Sequence, residues 1–206
     1  MSEVVQRRRN LVRVIAPTAG LLAAGLLVWQ GSYAAFSATT QDTTNTWSSG
    51  SLSLVNNGGT ATYAATTTAA FGGTSLKPGS TGTTCLTVKS TGTAAGTLAM
   101  YESALADSSP SLGAQIKLTV TEGVPATDVP ANCTGFPVAG VTTVATNVPL
   151  TTFPTTYGAA TGTTAMAAGG LEAYKVVWTF VSTGSNVTDN GLQTKTVTAG
   201  FTWEIQ

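Results

Sequence analysis

The chain has no histidine in 206 residues. That absence removes the usual general base of a Ser or Cys triad and the ligands of an HExxH zinc site. Charged residues make up 9 % of the sequence, little for a cytosolic protein. Arginine is confined to Arg7, Arg8, Arg9 and Arg13. Beyond Ala35, five lysines face eight acids, a net charge of −3, so no nucleic-acid partner is expected. No glycine-rich stretch has the strand-loop-helix context of a phosphate loop, and no cofactor is expected. The acids Asp42, Glu102, Asp107, Glu122, Asp128, Glu172, Asp189 and Glu204 form no local cluster. They read as solvated charge at turns and outer faces, not as the carboxylate pair of a glycosidase. An internal repeat and a second domain are also missing.

What is present begins with a targeting pattern. The basic start runs into the uncharged stretch Val14 to Val28, interrupted by Pro17 and Gly20. It is shorter than the roughly 20 residues that a membrane-spanning helix requires and suits a signal-peptide core. Ser32-Tyr33-Ala34-Ala35 then offers small residues to a signal peptidase. A signal peptide over residues 1–35 is expected, cut between Ala35 and Phe36, with membrane contact limited to that segment before cleavage. Arg8-Arg9-Asn10-Leu11-Val12 loosely matches a twin-arginine signal, and the export route stays open.

Thr, Ala, Gly, Ser and Val dominate the remainder, a mixture that disfavours helix and suits strands joined by tight turns. Alternation is clearest in Gln115 to Glu122, where Ile116, Leu118 and Val120 share a face. Glu172 to Ser182 aligns Tyr174, Val176, Trp178 and Phe180, with Val177 and Val181 opposite, as in a central strand covered on both sides. The last strand aligns Val197, Ala199, Phe201, Trp203 and Ile205. Asp189-Asn190-Gly191 between these two predicts a hairpin that pairs them. Weaker strands are expected at Ser51 to Val55, Ala61 to Phe71, Thr83 to Ser90 and Gly96 to Glu102, and the whole predicts an antiparallel β-sandwich. The proline-rich stretch Gly123 to Gly170 shows little alternation and is expected to be a surface insertion.

Cys85 and Cys133 pair most simply as one disulfide in an exported chain. The bond would tie the insertion to a strand and restrict the unfolded chain by roughly 4 kcal/mol. A metal site is disfavoured by the lack of CxxC spacing and of histidine. Tyr174, Trp178, Phe201 and Trp203 lie in the apolar phases of their strands and read as core. Trp47, in a Thr-rich segment without core neighbours, reads as a docking residue.

The run Gly31-Ser-Tyr-Ala-Ala-Phe-Ser, followed by Asn45-Thr-Trp-Ser-Ser-Gly-Ser-Leu-Ser-Leu54, resembles the leader and mature N-terminus of TasA and camelysin-type proteins, exported through the signal peptidase SipW. Ser75-Leu76-Lys77-Pro78-Gly79 with Ser90-Thr91-Gly92 is similar to that family's turns, and Phe201-Thr-Trp-Glu204 to its last core strand. The resemblance implies a jelly roll over residues 36–206 and a secreted subunit of a surface or biofilm-matrix fibre. It also implies that the subunit assembles with itself, and with an assembly protein, by donating its N-terminal strand. The donor would be Phe36 to Leu54, with Phe36, Trp47, Leu52 and Leu54 as its apolar residues. Head-to-tail contacts of that kind build filaments. Camelysin relatives are labelled metalloproteases, but without histidine this chain offers no zinc-peptidase motif and is not expected to be an enzyme. The alternative is a monomeric surface adhesin or carbohydrate-binding module that uses the insertion.

Overall fold

The computed structural model describes residues 49–67 and 70–206. The chain divides into two units, Met1–Ser49 and Gly50–Gln206, and the fold below is that of the second. It holds β1 (Leu54–Asn56), β2 (Thr81–Ser90), β3 (Gly96–Asp107), β4 (Ile116–Gly123), β5 (Thr142–Pro149), β6 (Thr164–Met166), β7 (Leu171–Phe180) and β8 (Val197–Ile205). A short helix, α1 (Asn186–Gly191), precedes β8. Two antiparallel sheets form an all-β sandwich, one ordered β1-β2-β7-β4-β5 and the other β6-β3-β8.

Strand β7 lies in the middle of the larger sheet, as its two-sided apolar pattern predicts. Tyr174, Val176, Trp178 and Phe180 enter the main core with Leu86, Val88, Leu118 and Val120 from its neighbours. Ala173 faces the other way, into a small second core with Cys85 and Val129. The indole of Trp178 lies over Gly82 on β2, where an added Cβ would come within 2.6 Å of it. Glycine there leaves the ring room to lie against the strand.

The stretch Gly123 to Gly170 is not the irregular surface insertion that its prolines predict. It supplies β5 to the edge of one sheet and β6 to the edge of the other, and it buries Val129, Val144, Leu150, Phe153 and Met166. Pro149 closes β5, and Pro154 lies beyond a short 3-10 turn at Leu150–Thr152. Prolines at strand ends and in turns remove no ladder bond, so they do not exclude strands between them.

The first part of this stretch crosses the outer face of β2. There Cys85 and Cys133 form the expected disulfide, with Cα atoms 5.0 Å apart. The Cys85 N–H donates to the Ala131 carbonyl, and the Ala131 N–H to Gly59. Buried Asn57 completes the crossing, its Oδ1 accepting from the Thr87 N–H at 2.8 Å and its Nδ2 donating to the Val129 carbonyl.

The expected hairpin between the last two strands does not form. Both edges of β7 are taken, by β2 and β4, so β8 pairs with β3 in the other sheet. Asp189-Asn190-Gly191 belongs instead to α1, where the Asp189 carboxylate accepts from the Ser182 and Thr183 hydroxyls and the Thr183 N–H. Ala61 to Phe71 forms no strand among the described residues, only an isolated bridge from Ala64 to Asn56.

Replacing both cysteines, Cys85→Ala with Cys133→Ala, is expected to lower unfolding free energy by about 2–4 kcal/mol in urea titrations. Gly82→Val is expected to cost about 1–3 kcal/mol by the same measurement, because a branched side chain would collide with Trp178.

Candidate functional site

An antiparallel ribbon rolled into a jelly roll pairs strands 1·8, 2·7, 3·6 and 4·5 along the ribbon, and its wrapping adds 4·7 and 3·8. Here 2·7, 3·6, 4·5, 4·7 and 3·8 are formed. Strand β1 pairs with β2 instead of β8. Among the described residues no strand flanks the outer edge of β8.

That edge has a defined polarity. Gln206 and Thr97 exchange both backbone hydrogen bonds, and the Ser108 N–H donates to the Thr196 carbonyl. The even-numbered backbone groups of β8 therefore face β3. Those of Val197, Ala199, Phe201, Trp203 and Ile205 face the open side. A row of peptide groups so oriented is a template for another strand.

Two cavities follow the same strand. The larger, about 440 Å³, opens between the sheets and is lined by Ile116, Trp178 and Phe180 from one and Val197, Ala199 and Phe201 from the other. The smaller, about 190 Å³, lies between β1 and β8 and includes Leu54, Val88, Phe201 and Trp203. Phe201 borders both and is held by Phe71 at 5.1 Å and by an edge-on contact with Phe153 at 5.5 Å. Among the described residues Lys195 is the single charged one of the larger lining.

No protein-family model matches the chain, and no curated protein matches it. Its function is therefore argued from the geometry.

Of the residues read from the sequence as functional, Ala35, Phe36 and Trp47 lie outside the described residues. Leu52 is 44 % exposed. Leu54 starts β1 opposite Ser90. The backbone before it is also engaged, since Ser53 accepts from Thr91 and Ser51 accepts from Thr93 and Ala94. Residues 51–54 are thus bound to their own chain, and a donated segment would have to end before them. The disulfide lies on the outer face of β2, in the second core. Among the described residues no helix is long and apolar enough to cross a membrane, and a formed disulfide fits a non-reducing compartment.

The reading of the acids as scattered solvent charge fails for three of them. Glu102, Glu122 and Glu172 are buried, and each lies in the inward phase of its strand. Glu122 follows Ile116, Leu118 and Val120, and Glu172 precedes Tyr174 and Val176. The alternation that located the core was the signal for them as well.

Glu122 sits opposite Tyr174 in the register, and Glu172 sits two residues before Tyr174 on the same face. Burial pushes the Glu122 carboxyl up to about 7. Burial, and then the charge of Glu122, do the same to Glu172. Because the folded state holds these protons more tightly than the unfolded chain, their stabilising effect is complete below about pH 4.5 and is lost as pH rises through 7. In metal-free buffer the melting temperature should therefore fall by roughly 5 °C or more between pH 5 and pH 8. Glu122→Gln should remove much of that fall in a calorimetric pH series.

Proposed function

We propose that this protein is an exported structural subunit, similar in kind to TasA, which polymerises when the N-terminal segment of one copy adds as a strand to β8 of the next. The carrying observation is the jelly-roll pairing pattern, in which 1·8 alone is unformed among the described residues. Antiparallel addition at β8 would complete that pattern and engage the outward peptide groups of Val197, Ala199, Phe201, Trp203 and Ile205.

The donor is the segment from Phe36 to Ser49, shortened from the expected limit at Leu54 because residues 51–54 are held by their own chain. Its sequence, FSATTQDTTNTWSS, is extended-chain material with aromatic residues near both ends. The apolar cleft beside β8 would receive side chains from such a strand. Repetition of one heterologous contact gives an open filament. The proposed product is secreted, released by signal peptidase at Ala35, and non-enzymatic. The alternative of a monomeric adhesin or ligand-binding module draws on the same 440 Å³ cleft, which would then take a small apolar ligand.

Secreted from a Gram-positive host with its own leader, the protein should begin at Phe36 and form filaments visible by electron microscopy. Deletion of residues 36–49 should leave folded monomers. Cysteines introduced by Thr44→Cys and Thr202→Cys together should give an oxidised ladder of oligomers on non-reducing gels. Wild-type protein that stays monomeric at high concentration would overturn the polymer reading and favour the binding module.

A further inference from the structure

Four oxygen-bearing side chains lie toward one end of the core, all on the inner face of the larger sheet. Ser90 ends β2, Glu172 and Tyr174 begin β7, and Glu122 lies near the end of β4. Register sets Glu122, Glu172 and Tyr174 side by side. Val88 faces Glu172, with Ser90 one pleat further along, and Glu122 faces Tyr174. Ser90 and Tyr174 are 0 % exposed, Glu122 1 % and Glu172 2 %.

Their bonding is incomplete to an unusual degree. Both Glu122 oxygens, the Ser90 hydroxyl, the Tyr174 hydroxyl and the Trp203 indole N–H are buried without a hydrogen-bond partner among the described residues. Trp203 belongs to the same place, its ring 5.6 Å from that of Tyr174. The Tyr174 hydroxyl is near enough to Glu122 for each to perturb the other's ionisation, though the two do not reach hydrogen-bond geometry. Each buried polar atom left without a partner is destabilising, and native interiors rarely concentrate several.

Among the described residues no basic side chain compensates the carboxylates. Lys89, Lys117 and Lys175 occupy the opposite phase of β2, β4 and β7 and point away from the core. Lys89 lies over the Tyr63 ring. From the facing sheet come Leu98 and Met100 of β3 and Trp203 of β8, all neutral.

We propose that Glu122, Glu172 and Tyr174 form a binding site for a hard divalent cation of the calcium class. Two carboxylates match its charge, and their four oxygens with the Tyr174 hydroxyl supply five of the roughly 6–8 oxygens that calcium takes. With neither nitrogen nor sulfur donors, the set is unsuited to zinc or copper. The Trp203 N–H would donate to a carboxylate oxygen. The site would bind the cation in monomer and polymer alike, so it does not depend on the assembly proposed above.

The test uses the secreted protein after removal of metals with EDTA. Added CaCl₂ should raise its melting temperature saturably, by roughly 5 °C or more at millimolar concentration. Terbium should give luminescence sensitised by the adjacent Tyr174 and Trp203, and calcium should displace it. Glu122→Gln with Glu172→Gln should abolish both responses while melting in EDTA no lower than wild type, since two buried carboxyl groups are replaced by neutral amides. Trp203→Phe should weaken the terbium signal. A wild-type shift no larger than that of the double variant, or terbium emission indifferent to the double substitution, would overturn the proposal.

Discussion

Strand β7 has no free surface. Its two edges are bonded to β2 and β4, its inner face carries Tyr174, Val176, Trp178 and Phe180, and its outer face at Ala173 is covered by the segment held by Cys133. A strand in that position cannot take another partner. The chain leaving it must cross to the second sheet, and α1 makes the turn, with the Asp189 carboxylate holding the Ser182–Thr183 corner. The position of β8, and so the edge that β8 presents, follows from the saturation of β7.

The two ends of the sandwich are chemically different. At one end, Ile116, Trp178, Phe180 and Phe201 line an apolar cleft. At the other, the inner face turns polar at Ser90, Glu122, Glu172 and Tyr174. Hydrophobic burial alone explains the first. The second runs against it, because carboxylates enter a core only when something stabilises them. Such departures from the folding pattern tend to mark positions held for another purpose.

Several features were legible from local pattern. The period-two alternation of Ile116 to Val120, Tyr174 to Phe180 and Val197 to Ile205 located three core strands and their inward residues, because side-chain direction along a strand is a local property. The same alternation placed Glu122 and Glu172 inward, but acids carry a strong expectation of exposure, and that expectation concealed them. Proline likewise concealed β5 and β6, which are edge strands, the positions where sheets tolerate nearby proline. Asn190-Gly191 suits a hairpin equally well as sequence. What excluded one was the occupancy of β7 by strands distant in the chain.

By itself the sequence determined the fold class, the inward faces of the principal strands and the pairing of its two cysteines, since these depend on composition, on neighbours two residues apart and on there being no third thiol. Tertiary structure alone decided which strands share a sheet, that β1 pairs with β2 and not β8, and that Glu122 comes to lie beside Glu172 and Tyr174. Those outcomes depend on competition for a limited number of strand edges among segments far apart in sequence, and no local pattern records which segment wins.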